Sequence, residues 1–251
     1  MVHFVGAGPG AVDLITVRGM RLLSQADVII YAGSLVNPQL LSYAKKGCEI
    51  HNSAAMTLEE TFAVMQEAER EGKTTVRLHT GDPSLYGAIR EQIELLEEAG
   101  ISSDVTPGVS SFCAAASALQ AEYTLPGISQ SVIITRLAGR TPVPEREKIE
   151  SLSAHGATMV IFLSAGMLPE LRRRLLEGGC REDTPAAIVY KASWPEEQVV
   201  RGRVGDLPEM ARRHGIERTA LILVGEFLDG KRERSKLYDP AFGHGYREAK
   251  Q

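Results

Sequence analysis

Cysteine is scarce in this chain. Cys48, Cys113 and Cys180 are the only three, odd in number and far apart. They make neither a disulfide framework nor a metal cluster. We expect small buried hydrophobes in a reducing cytoplasm. Aromatic residues are also few, at 6%, with Trp194 the single tryptophan. No apolar run approaches the roughly 18–20 residues of a membrane span, so no membrane contact is expected. Neither sign of charge dominates. The 28 Lys and Arg stand against 32 Asp and Glu, a formal net charge of −4. Such a surface does not advertise nucleic-acid binding. The six histidines show no metal-ligand spacing, so no metal site is expected, and no Ser/His/Asp signature is present. His3, His79 and His155 read as structural. The first strand begins at Val2, and we expect no signal or transit peptide.

What is present is an alternation of strands and helices. The first half reads as strand Val2–Val5, helix Val17–Gln25 capped by Thr16, and strand Val28–Tyr31. Pro38–Lys46 is expected to be helical. Thr57-Leu58-Glu59-Glu60 is a capping box that opens a helix to about Arg70. Strand Thr75–His79, helix Ala88–Ala99, strand Ser103–Val105 and an Ala-rich helix Ser111–Leu119 follow. This is an α/β domain with a largely parallel sheet. Residues 121–127 have turn chemistry and read as a linker. Residues 128–236 mix parallel and antiparallel cues, with Ala186–Tyr190 and Gln198–Arg203 as adjacent strands and Asp206 capping a helix to His214. The predicted organisation is an N-terminal α/β domain at 1–120, the linker, a C-terminal α/β domain at 128–236 and a tail at 237–251. Charge, Gly and Pro from Lys231 on suggest a loosely held end.

Two glycine-containing loops draw attention. Val5-Gly6-Ala7-Gly8-Pro9-Gly10-Ala11 matches G-x-G-x-x-A after a first strand. A dinucleotide fold makes two more demands: a helix opening directly from the loop, and an acid at the end of the next strand for the ribose. Here Ala11 to Ile15 intervene before Thr16, and the next strand ends Tyr31-Ala32-Gly33-Ser34. An NAD-dependent oxidoreductase is disfavoured. The glycines read as a flap beside a bulky ligand, or as a tight turn. Thr80-Gly81-Asp82-Pro83-Ser84-Leu85-Tyr86-Gly87 lies between a strand and a helix, where open α/β sheets present a binding edge. Asp82 has two readings, an attractor for a cationic ligand or an Asx-turn acceptor. Ser110 and Ser111 have two as well, ligand contacts or helix caps. Tyr86 either stacks on substrate or fills the core. Trp194 either lines a binding mouth or covers the second domain.

Four segments in this order and spacing resemble the tetrapyrrole methylase family. They are Val5–Thr16, Arg77-Leu78-His79-Thr80-Gly81-Asp82-Pro83, Thr106-Pro107-Gly108-Val109-Ser110-Ser111 and Ala220-Leu221-Ile222-Leu223-Val224-Gly225-Glu226. The match covers nearly the whole chain. Two more stretches, Ile30–Asn37 and Val189–Pro195, resemble the branch that methylates C11 of precorrin-4 in cobalamin biosynthesis. One departure stands out. The glycine loop carries Ala11 where relatives usually have Asp, which leaves Asp13 as its only acid and no assigned catalytic residue.

The resemblance implies S-adenosylmethionine (SAM) bound in a cleft between two α/β domains, and a homodimer. Carried onto this chain, SAM contacts fall on Pro9, Thr80, Gly81, Asp82, Leu85, Ser110, Ser111, Ser164, Lys191, Ala192, Thr219 and Ala220. Substrate contacts fall on Gly8, Gly10, Asp13, Arg18, Tyr31, Tyr86 and Trp194. The implied substrate is a precorrin, a large tetrapyrrole with many carboxylates. An acidic protein must then gather positive charge locally. Arg18, Arg21, Arg77, Arg90, Arg136 and Lys191 lie in or beside the motifs, and two or three of them are expected to meet substrate. The competing readings are a uroporphyrinogen III or C20 methylase and a non-catalytic SAM- or tetrapyrrole-binding protein.

Overall fold

The structure is a computed structural model that describes residues 1–229 and 235–249. The chain forms two compact units. One holds Met1–Ala115 together with Lys191–Glu197; the other holds Ala116–Tyr190 and the chain from Gln198 onward. Lys191–Glu197 thus groups with the first unit, away from the rest of 128–236. Part of the expected loose end, 230–234 and 250–251, lies outside the described residues.

The first unit is a five-stranded sheet of β1 (Val2–Gly6), β2 (Val28–Tyr31), β3 (Glu49–Asn52), β4 (Thr75–His79) and β5 (Ser103–Thr106). Its order is β3-β2-β4-β1-β5, and every pairing is parallel. Parallel sheets need apolar cover on both faces. Val5, Ile29, Val76 and Leu78 meet Leu23 of helix α1 (Val17–Gln25) and Val36 and Leu40 beyond β2. Val2, Phe4, Val28 and Ile30 meet Met65 of α2 (Leu58–Arg70) and Leu96 of α3 (Ile89–Glu98) on the other side. The expected caps form. Thr16 accepts from Gly19 N, and Thr57 and Glu60 close a capping box.

Topology places the binding edge. The chain leaves β1 towards β2 and leaves β4 towards β5, in opposite directions along the sheet. Because β1 and β4 are neighbours, their departing loops open a crevice at the strand C-termini.

The second unit is also five-stranded, in the order β6-β7-β10-β8-β9. Its strands are β6 (Val132–Arg136), β7 (Thr158–Phe162), β8 (Pro185–Tyr190), β9 (Gln198–Arg203) and β10 (Ala220–Val224). Only β6–β7 is parallel; β7–β10, β10–β8 and β8–β9 are antiparallel. Met159, Ile161, Ile188 and Ile222 pack on Ile149 of α5 (Ile149–Ser153), on Leu168, Leu171 and Leu175 of α6 (Leu168–Glu177), and on Leu207 and Met210 of α7 (Leu207–His214). The Ala-rich helix α4 is Ser111–Leu119, as expected.

Four details differ from the sequence reading. The expected helix Pro38–Lys46 is a 3-10 segment over Pro38–Tyr43, because so short a run between Asn37 and Gly47 does not sustain an α-helix. β3 was not foreseen; its residues are mostly exposed on a sheet edge and carry no apolar alternation. Asp206 stands at the start of α7 but makes no side-chain cap bond. Cys48 and Cys180 are only half-buried and Cys113 is exposed, since α4 turns Ala114 and Ala115 inward instead. Among the described residues no helix is long and apolar enough to cross a membrane, and no group of three or more His, Cys, Asp or Glu could hold a metal ion.

Candidate functional site

At the β1–β4 crevice the two glycine loops are joined. Gly81 N donates to Gly8 O at 2.8 Å, and Gly8 N donates to Gly81 O at 3.3 Å. Gly108, after β5, packs backbone to backbone against both Gly6 and Gly81, and a Cβ on it would collide with the Gly81 carbonyl. Three chain segments therefore approach with no side chains between them.

Asp82 ties this edge together. Its Oδ2 accepts from Gly108 N at 2.8 Å, and its Oδ1 accepts from the Ser84 N–H and hydroxyl. Burial pushes its carboxyl up, but the Ser84 hydroxyl, the Gly108 N–H and the Ser84 N–H together outweigh this and hold it below the usual carboxylate range. The turn-acceptor reading of Asp82 describes these bonds. Thr80 donates to Leu35 O, Gly81 is buried and Leu85 is half-buried.

The flap is held by two other segments. Consecutive residues Pro9, Gly10 and Ala11 each make one long-range bond. Trp194 Nε1 donates to Pro9 O at 3.0 Å, Asn37 Nδ2 donates to Gly10 O at 2.8 Å, and Ala11 N donates to Ser193 Oγ at 3.0 Å. A Cβ on Gly10 would run into the Trp194 indole. Trp194 thus serves the first unit's flap, and the reading of it as cover for the second domain falls away. Asn37 and Ser193 lie within motif stretches, but sequence gave no sign that they clamp the flap.

The remaining candidates divide between the units. Tyr31 ends β2, half-buried, and Ser110 is buried at the head of α4, where Ser111 begins. Asp13 and Arg18 are exposed. Ala192 is buried, and Lys191 Nζ lies 3.3 Å from Glu196 and 5.3 Å above the Trp194 ring. Ser164, Thr219 and Ala220 belong to the second unit. Ser164 is fully buried and its hydroxyl is engaged internally, donating to Phe162 O and accepting from Leu137 N. Positive φ in a non-glycine residue is strained and clusters at ligand clamps and active sites. Here it occurs at Tyr86, Leu163, Lys191, Ser193 and Thr219, all on or beside nominated positions, and also at Ala88 and Gln120.

The cations near the motifs differ sharply. Arg18 and Arg21 are exposed, Arg90 pairs with Glu94, and Arg136 donates to the carbonyls of Leu137, Thr141 and Pro142. Arg77 alone is buried, 7% exposed, and no carboxylate among the described residues pairs with it. Burial lowers its guanidinium to about 10, so it stays charged. Two residues on, His79 is also buried, and burial, with the Arg77 charge beside it, lowers its imidazole to about 3. It is a neutral ring stacked on Phe4. Both side chains line a cavity of about 300 Å³ in the first unit.

Two glycine loops meeting at a topological switch point, with no acid after β2 to hold a ribose, define an α/β ligand-binding protein outside the dinucleotide class. The chain belongs to the tetrapyrrole (corrin/porphyrin) methylases, whose family model matches residues 1–208. A cobalt-precorrin-4 C(11)-methyltransferase of Methanocaldococcus jannaschii is 55% identical over 99% of this chain and 96% of its own length. The solved structure of a cobalt precorrin-4 methyltransferase, a cobalamin biosynthetic enzyme, has TM-score 0.89 and 48% identity, covering 91% of this chain and 95% of that one. A uroporphyrin-III C-methyl transferase from Thermus thermophilus, solved with S-adenosylhomocysteine, has TM-score 0.76 and 26% identity, covering 93% and 95%.

Proposed function

We propose that this chain is a SAM-dependent methyltransferase that methylates C11 of precorrin-4 or of its cobalt complex. The observation that carries the reading is the near-full-length likeness to a solved cobalt precorrin-4 methyltransferase at 48% identity. The uroporphyrin methylase likeness is weaker, at 26–32%.

The residues suit SAM. A compact sulfonium ligand needs backbone N–H and C=O groups at close approach. On the first unit the Gly8–Gly81 pair and Gly108 form an edge free of side chains that permits such approach, with the Thr80–Leu85 loop, Pro9, Ser110, Ser111, Lys191 and Ala192 around it. SAM brings an activated methyl group and a neutral leaving group. The protein is left to align the acceptor carbon at roughly 3–3.5 Å and to exclude water. The flap, Tyr31–Asn37 and Lys191–Trp194 hold the acceptor's pose. Their mutual hydrogen bonds support that role, because a pose held to within an ångström needs a rigid wall. We further propose a homodimer in which the apolar segment Ile128–Ile134 takes part, a reading that a monomer in light scattering would refute.

Carbon-13-labelled SAM with precorrin-4 tests the function. One labelled methyl at C11 by NMR is expected. A label at C17, C20 or C2 sinks the C11 reading and leaves family membership standing. Calorimetry should show S-adenosylhomocysteine binding and no NAD binding.

A further inference from the structure

The Arg77 cavity adjoins the glycine edge, for Thr80, Leu85, Tyr86 and Gly87 of the second glycine loop help to line it. Arg77 reaches it from the middle of β4, on the face that α2 and α3 cover. Its Nε donates to Gln92 Oε1 at 3.0 Å and one Nη1 hydrogen to Ile30 O at 3.3 Å. Guanidinium has five N–H donors. Among the described residues nothing accepts from the Nη2 amino group. A buried cation without a counter-charge is expensive.

Three further observations bear on what uses it. His79, 4% exposed, lines the same cavity, and its Nε2 has no hydrogen-bond partner. The cavity is walled by Thr57 and Leu58, where α2 begins, and by Ala88, where α3 begins, so two positive helix ends face it. The one acid in its lining, Glu91, is exposed and makes no ion pair with Arg77. The unused donors of Arg77 form a planar fork beside these two helix ends. That geometry matches a carboxylate. At about 300 Å³ the space is too small for a tetrapyrrole and ample for one of its arms.

We infer that Arg77, held by Gln92 and flanked by His79, forms a carboxylate subsite that takes one acidic side chain of the substrate and fixes the rotation of the macrocycle. The inference rests on the proposed function, since the carboxylate comes from the tetrapyrrole. SAM carries a carboxylate too, and the test separates the two sources.

Three proteins are compared with wild type: Arg77→Met, the double variant Arg77→Met with Gln92→Met, and Arg77→Lys. The double variant removes both members of the Arg77–Gln92 hydrogen bond, so that Gln92 Oε1 is not stranded, although the Ile30 and Ala88 carbonyls lose these donors. Tetrapyrrole KM, kcat, S-adenosylhomocysteine Kd and Tm are measured for each. Loss of a charged hydrogen-bonding partner should raise tetrapyrrole KM roughly 10- to 100-fold in both Met variants. The Kd should stay within about twofold. The double variant should melt no lower than wild type, because an unpaired buried charge is gone. Arg77→Lys should recover part of the KM loss and keeps the test alive if the Met variants fold poorly. An unchanged KM, a parallel loss of S-adenosylhomocysteine binding, or a Lys variant no better than Met would each overturn the subsite. Absence of turnover by wild type would instead refute the proposed function, and the subsite with it.

Discussion

On helices α6 and α7 of the second unit, arginines answer glutamates one turn away. Glu170 meets Arg173 and Arg174, and Glu209 meets Arg212 and Arg213, all at i,i+3 or i,i+4 spacing. These groups are largely solvent-exposed. In the first unit the sheet edge is treated in the opposite way. Asp82 spends both oxygens on backbone and hydroxyl donors, His79 is sealed in as a neutral ring, and Arg77 is buried with no acid. The exposed pairs have water as an alternative partner, so each contributes little. Buried Arg77 and His79 have none, and half-exposed Asp82 is tied to three donors, so each fixes a geometry whose loss is costly. Charge on the helices keeps a surface soluble; charge at the edge holds a shape or waits for a ligand.

Removing Asp82 should give the largest stability effect of this contrast. Asp82→Ala strands the Gly108 N–H in a crowded loop junction. A stranded partner of this kind costs about 1–3 kcal/mol, which lowers Tm by roughly 3–10 °C in a chain of this size. Calorimetry of the unliganded protein reads it directly. A shift below a degree would mean that the loop needs no carboxylate and would return Asp82 to the ligand.

Acid should expose His79 next. Its folded value is about 3, below the ordinary 6.5. Between those values the unfolded chain binds a proton that the folded chain refuses. Stability therefore falls as pH drops below about 6.5, by at most about 1.4 kcal/mol per pH unit for this one group. Tm measured from pH 7 to pH 5 should decline, and His79→Gln should flatten the slope whatever it does to the starting value. Equal slopes would mean that His79 titrates normally.

Sequence made much of this visible, and the limits have physical causes. The capping box at Thr57 and Glu60 was legible because both partners sit within one turn. The motif loops were legible because close backbone approach demands glycine at fixed places such as Gly108. The clamps on the flap were not: Trp194 and Pro9 are 185 residues apart, and nothing local announces their bond. β3 was missed because an exposed edge strand such as Glu49–Asn52 needs no apolar alternation. The alternation Val76-Arg77-Leu78-His79 reads as a strand with its polar side in water. Only the packing of α2 and α3 over that side turns Arg77 and His79 inward.

The smallest expected effect is the control for the whole contrast. The guanidinium groups of Arg173 and Arg174 hold the Glu170 carboxyl at about 2, the largest contribution being their side-chain hydrogen bonds. A shift of that size invites a large stability claim, but Glu170 is 41% exposed and water screens both partners. An exposed pair is worth about 0–1 kcal/mol, and a network of two shares its arginines with Glu177 and Glu150 as well. Glu170→Gln should therefore lower Tm by less than about 3 °C at low salt. Salt at about 1 M, where the screening length is near 3 Å, should erase most of the difference. The sign with pH follows from the lowered carboxyl. Whatever Glu170 contributes is present above about 4.5 and disappears as pH falls through about 2. A Tm loss as large as that of Asp82→Ala would break the distinction between the two regions, because it would show that an exposed helix pair holds its geometry as firmly as the buried edge.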